Sequence, residues 1–164
     1  MEIWDLYDAN RQPLGRTIVR GESLADGEYY ICGEIWVMNS AGQFLITKRH
    51  PDKKAGNLWE FVGGGTLAGE TTRASAKREL HEETGIPVDE EELKLLVTYA
   101  RDQYFLDIYV VKKDIPISNI RLQPGEAIDA KWATPDEVQG LIRSGEFVSS
   151  VGKRFLMYKD KIEL

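Results

Sequence analysis

Residues Gly64–Ile86 read GGTLAGETTRASAKRELHEETGI, and the second half of the stretch, Arg78-Glu79-Leu80-His81-Glu82-Glu83-Thr84-Gly85, crowds carboxylates at Glu79, Glu82 and Glu83. Their spacing of i, i+3 and i+4 places them on one face if the segment is helical. Helix signals bracket it: Thr71 or Thr72 as N-cap, Gly85 just past the end, Pro87 as a stop. Ala76, Leu80 and Thr84 form an inward stripe, with the carboxylates mainly beside it. Like charges that close repel, so the pattern asks for a counter-charge, and a divalent cation is the obvious candidate. His81 falls on the solvent side.

Upstream, Leu58–Val62 is a short apolar segment running into Gly63-Gly64-Gly65, a run that permits unusual backbone angles and close approach of a ligand or ion. Tyr29–Met38 and Gln43–Arg49 predict a β-hairpin across Asn39-Ser40-Ala41-Gly42. In its second strand Phe44, Ile46 and Lys48 share one face. Short strands are expected at Glu2–Tyr7 and Arg16–Arg20, with turns at Asp8-Ala9-Asn10 and Pro13-Leu14-Gly15. His50–Asn57 reads as a loop. Downstream, Asp89–Glu92 is a solvated acidic connection. Leu93–Ala100 and Tyr104–Lys112 read as antiparallel strands, Ile115–Gly125 as irregular, and Ala127–Ala133 as strand. Thr134-Pro135-Asp136-Glu137 opens a helix to about Arg143, and a last helix starts at Ser149 or Ser150 and runs to Lys161. Strands and helices alternate throughout. The expectation is an α/β protein, a single domain over residues 1–164 with one mixed sheet covered by helices on both faces.

Composition narrows the function classes. The chain has 164 residues, 42% hydrophobic and 29% charged, with a formal net charge of −6, enough for a core without disulfide or metal staples. An acidic balance argues against general nucleic-acid binding, which needs clustered Lys and Arg. Small phosphorylated ligands remain open, since metal ions recruit them to acidic sites. The single cysteine, Cys32, excludes an internal disulfide or a Cys-rich zinc site and reads as a small buried hydrophobe. Met1 is followed by Glu2 and Asp5, and no apolar run approaches the length of a membrane span. A cytoplasmic protein without membrane attachment is expected.

From Gly64 five residues lead to Glu70, seven more to Arg78, and Arg-Glu-Leu-His-Glu-Glu-Thr-Gly-Ile follows without a gap. This spacing matches G-x5-E-x7-R-E-U-x-E-E-x-G-U, with U apolar, at every fixed position. The chain therefore resembles the Nudix hydrolases, of which this MutT-like box is the signature. The resemblance implies an α/β/α sandwich around a mixed sheet. It also implies hydrolysis of a diphosphate bond in a nucleoside-diphosphate-linked or related small molecule, with Mg²⁺ or Mn²⁺ as cofactor. Carried over residue by residue, Glu79, Glu82 and Glu83 are the metal ligands, the last two the direct ones. Arg78 orients them, Glu70 and Gly85 are structural members of the box, and the Gly63 carbonyl faces a metal. Gly64 and Gly65 line the substrate. A homodimer is the family-level expectation for assembly.

Outside the box, the segment Gln123-Pro124-Gly125-Glu126 makes Glu126 the candidate for a further glutamate, acting as metal ligand or general base. Lys48 and Arg49 are candidates for the substrate's phosphates, Arg49 the better of the two because its guanidinium grips phosphate bidentately. Trp59 reads as core packing before base stacking. Specificity is expected from the loops His50–Asn57, Arg101–Tyr104 and Ile115–Glu126. The N-terminal part, Trp4-Asp5-Leu6-Tyr7-Asp8 with Gly27-Glu28-Tyr29-Tyr30, is similar to a Nudix subgroup related to isopentenyl-diphosphate isomerase. That isomerase needs a histidine-rich metal site, whereas this chain has only His50 and His81, and Tyr30 stands where a histidine is usual. Hydrolysis is the reading, with an isomerase or a non-catalytic nucleotide-binding sensor as the alternatives.

Overall fold

A computed structural model describes residues 1–163. The N-terminal segment forms a hairpin of β1 (Ile3–Tyr7) and β2 (Pro13–Val19). The Asp8 carboxylate accepts the Asn10 and Gln12 amides to close its turn. Pro13 opens a strand rather than a turn, because a proline at the first position of an edge strand forfeits no ladder bond.

Strands β3 (Tyr30–Met38) and β4 (Phe44–Arg49) follow. The expected hairpin exists, but its strands pair only at Met38 and Phe44 and then separate. A further strand wedges between them, bent at Phe61. Its first part, β5 (Trp59–Glu60), pairs with β4, and its second, β6 (Val62–Gly65), pairs antiparallel with β3 from Cys32–Gly65 to Ile35–Val62. The glycine run is therefore strand. Beyond β3, β8 (Tyr104–Lys112) runs parallel along its whole length, and β7 (Lys94–Arg101) pairs antiparallel with β8. β9 (Ala127–Ala133) lies antiparallel on the other edge of β4. The sheet is mixed.

Helices cover both faces, as the α/β/α reading requires. Helix α1 (Thr72–Thr84) starts where the Thr71 hydroxyl accepts the Ala74 amide and stops at Gly85, which is left-handed at φ 76°. Its Ala76 and Leu80 pack with Ile35, Val37, Leu45 and Val62. Helix α2 (Pro135–Ser144) carries the capping box read from Thr134 and Glu137. With α3 (Ser149–Tyr158) it covers the opposite face, where Phe155 sits among Trp36, Phe44 and Phe61 at ring-centroid distances of 5.3–5.6 Å. The two-residue period of β3 sorts Ile35 and Val37 to α1 and Trp36 to α3. Among the described residues no helix is long and apolar enough to cross a membrane.

A buried polar knot ties the N-terminal hairpin to this sandwich. Asp107 on β8 accepts both arms of Arg11 at 2.8 and 2.6 Å, the Thr72 hydroxyl at 2.6 Å and the Thr98 hydroxyl at 2.9 Å. Burial alone would raise the Asp107 pKa, but hydrogen bonds from Arg11 and Thr72 outweigh it and hold the carboxyl below its ordinary value. A carboxyl depressed by folding stabilises above its unfolded pKa and loses that contribution as pH falls through the folded one. Asp107→Asn is therefore expected to destabilise by about 1–3 kcal/mol at neutral pH. In paired thermal melts the gap to wild type should stay constant above about pH 4 and close below it; a gap that widens in acid would contradict this assignment.

Candidate active site

The glycines of β6 set the geometry. Gly63, Gly64 and Gly65 are extended, none of them left-handed, so the expectation of unusual backbone angles is corrected: what glycine supplies here is room. A Cβ on Gly64 would stand 2.5 Å from the Glu79 carboxylate, one on Gly65 2.6 Å from the Trp4 indole, and one on Gly63 2.7 Å from the Gly33 carbonyl oxygen. Helix α1 and the N-terminal hairpin thus press their side chains directly on strand backbone.

Arg78 is the internal counter-charge for the crowded helix face. Its Nε and Nη2 donate to the two Glu70 oxygens at 2.8 and 3.0 Å, and its Nη1 donates to Glu79 at 2.8 Å and to Glu82 at 3.3 Å. Nη2 also reaches the Gly65 carbonyl at 3.3 Å, so one guanidinium joins the helix to the glycine strand. Burial works to raise Glu70, but Arg78 and the Leu67 amide hold it below its ordinary value. Burial raises Glu79 despite Arg78.

Glu79, Glu82, Glu83 and Glu126 line one pocket with Gly63, Gly64 and Gly65. Glu126 is brought there by the loop before β9, whose Gln123 amide donates to the Glu83 carbonyl at the end of α1, and its carboxylate is ion-paired with Lys53. Glu83 has no ion pair among the described residues. Burial, with the Glu79 and Glu60 charges next, pushes its pKa up to about 8. The ligands this pocket could offer a cation are all oxygens, which suits a hard divalent ion. Among the described residues no three acidic, His or Cys side chains are gathered closely enough to hold an ion as they stand; Glu79 and Glu82 are turned to Arg78 and Glu126 to Lys53. The donor set fits Mg²⁺ or Mn²⁺, with side-chain rotation to close it.

The remaining predicted residues divide. Arg49 lines the pocket, but its Nη1 bridges both Glu60 oxygens at 2.8 Å. Lys48, one residue along the same strand, points to the opposite face and sits near the Trp59 ring. It is not brought to the site. Trp59 is buried in the core as read, and His81 is exposed. Neither histidine lines the pocket. Burial raises the Cys32 thiol to about 12, so it stays protonated. Glu2 and Arg20 line the pocket unforeseen, while Lys53 comes from the His50–Asn57 loop read as a specificity loop. Glu2 and Arg20 flank the N-terminal hairpin, and nothing in their local sequence announces where that hairpin docks.

The NUDIX domain model matches residues 34–151. The chain is 39% identical over 150 residues to an uncharacterised Nudix hydrolase of Listeria monocytogenes, covering 90% of this chain and 89% of that protein. Its fold is shared with a crystal structure from Deinococcus radiodurans at TM-score 0.77 and 22% identity, covering 93% of this chain and 98% of that one. It is also shared with a bifunctional NMN adenylyltransferase/ADP ribose pyrophosphatase of Francisella tularensis, complexed with AMP and a manganese ion, at TM-score 0.63 and 17% identity, covering 79% and 40%. The chain belongs to the Nudix hydrolase family.

The Gly64–Glu79 contact yields a prediction. In Gly64→Ala the added methyl meets the end of a flexible side chain, so Glu79 moves and the strand stays. Stability is expected to change by less than about 1 kcal/mol while kcat/KM falls by about tenfold or more. Thermal melts beside steady-state kinetics check both, and full activity in this variant would contradict the placement of Glu79.

Proposed function

We propose that this protein hydrolyses the diphosphate bond of a nucleoside-diphosphate-linked or related small molecule, using Mg²⁺ or Mn²⁺ held by Glu79, Glu82 and Glu83 with help from Glu126 and the Gly63 carbonyl. The observation that carries it is the lone Glu83: a half-buried carboxylate without an ion pair, beside three carboxylates that already have theirs. Without a matching charge burial keeps the Glu83 carboxyl largely protonated at neutral pH, and a bound cation would supply the match that ionises it. A divalent ion bound there neutralises diphosphate oxygens and lowers the pKa of a water.

The chain's own residues do the positioning. Arg78 fixes Glu79 and Glu82 relative to the glycine strand. Glu126 lies at the pocket rim, where its carboxylate can accept the proton of the attacking water once Lys53 releases it. Arg20, Arg49 and Lys53 surround the same pocket and offer donors to phosphate oxygens. The manganese ion and AMP held by the Francisella relative support the choice of cofactor and of a nucleotide-containing substrate. No nucleophilic serine or cysteine is required, and the attack falls on phosphorus.

Two results are expected. A screen over nucleoside triphosphates, nucleotide sugars, dinucleotides and prenyl diphosphates, with the phosphomonoester products read as phosphate freed by an added phosphatase, should show turnover that depends on Mg²⁺ or Mn²⁺ and is abolished by chelation. Glu82→Gln and Glu83→Gln should each cut kcat/KM by more than about 100-fold while circular dichroism and the melting temperature stay near wild type. Near wild-type turnover in both variants would overturn the assignment.

A further inference from the structure

The loop between β4 and β5 is closed on itself and aimed at the carboxylate pocket. Its Lys53 amide donates to the His50 carbonyl at 3.1 Å, the Gly56 amide to the Lys53 carbonyl at 2.9 Å and the Asn57 amide to the Arg49 carbonyl at 3.0 Å. Ala55 and Asn57 are left-handed at φ 56° and 65°, and a Cβ on Gly56 would stand 2.3 Å from the Pro51 carbonyl oxygen. The loop is also tied to the segment it faces, since the His50 amide donates to the Glu126 carbonyl at 2.9 Å. With both backbones held, Lys53 and Glu126 meet through their side chains, which are 26% and 37% exposed. Arg49 and Arg20 line the same pocket and pair with Glu60 and Glu2. Of these cations it is Lys53 that sits on a carboxylate proposed to serve the metal.

Resting on the hydrolase reading above, we propose that Lys53 is an exchangeable counter-ion: it holds Glu126 until that carboxylate turns to the divalent cation, then carries its ammonium to a phosphate of the substrate. A Glu126 oxygen that accepts from an ammonium is not open to a divalent ion, and a partly exposed ion pair is weak enough to exchange. Arg49 could not make the same move as cheaply, because its guanidinium is fixed on both Glu60 oxygens and on the Lys54 carbonyl. Lysine suits the swap, being a compact charge with three rotatable donors on a flexible stem. Once free of Glu126 it stands in the pocket without a partner, and a phosphate oxygen restores the match. Metal and substrate sites are thereby coupled, each favouring the other.

Calorimetric titration of Mn²⁺ into protein stripped of metal reads the first half of the exchange. Lys53→Met is expected to tighten Mn²⁺ binding by at least about fivefold, the size of a direct coupling between neighbouring groups. Lys54→Met removes the same charge from an exposed neighbour and should tighten it by less than about twofold, as screening requires. In the Glu126→Gln background the gain from Lys53→Met should likewise shrink below about twofold, because the contested carboxylate is gone. The second half is read by titrating methylenediphosphonate, a diphosphate with an uncleavable bridge, into the Mn²⁺-saturated protein. Lys53→Met should weaken that binding by at least about fivefold. One substitution thus moves the two affinities in opposite directions, which a permanent structural tie would not do. Unchanged or weaker Mn²⁺ binding in Lys53→Met, an equal gain in Lys54→Met or in the Glu126→Gln background, or undiminished diphosphonate binding would overturn the exchange. If Glu82→Gln and Glu83→Gln still abolish Mn²⁺ binding, each of those results leaves the hydrolase reading standing. Mn²⁺ binding that survives both carboxylate substitutions unchanged would overturn that reading and the exchange with it.

Discussion

Everything at this site depends on a strand that has no side chains where two other elements need to touch it. Gly64 receives the Glu79 carboxylate and Gly65 the Trp4 indole, each at a distance that a single methyl would occupy. A glycine in a strand interior weakens it by the entropy it loses and the packing it omits. Here pairing with β3 along four residues compensates, and the Arg78 bond to the Gly65 carbonyl adds a tie from the helix. The stability given up locally places a charged helix face against bare backbone.

That placement makes the charge distribution workable. Glu79 and Glu82 lean on Arg78, Glu126 on Lys53 and Glu60 on Arg49, so internal cations match most of the acidic groups around the pocket. The carboxylates are held but not drawn together, and Glu83 is left over. The same matching extends across the glycine strand, where Arg154 and Glu34 neutralise each other beside uncharged aromatic side chains.

What could be read in advance was what local chemistry decides. The Thr71 cap, the left-handed Gly85, the Thr134–Glu137 box and the inward stripe of Ala76 and Leu80 all stand where their residue types put them. That Glu79, Glu82 and Glu83 share one helix face followed from helical spacing, and they line one pocket. The wedge of β5 and β6 between β3 and β4 could not be read, because an apolar run does not say which edge it pairs with. Lys48 and Arg49 could not be told apart until the sheet had faces; then the period of two sent one to Trp59 and the other to the pocket. Glu34 and Arg154 lie 120 residues apart, and only the packing of α3 on β3 makes them partners. Glu2 and Arg20 depend likewise on where the N-terminal hairpin docks, which the Asp107 knot decides.

The proposed hydrolysis requires Glu79, Glu82 and Glu83 to close on a divalent metal against the glycine strand. A crystal soaked in Mn²⁺ and measured at the manganese absorption edge tests it without reference to turnover. An anomalous peak is expected within coordination distance of the Glu82 and Glu83 carboxylates and beside Gly63, with Arg78 still on Glu70. A peak bound elsewhere on the protein, or none beside these carboxylates under conditions that support hydrolysis, would contradict it.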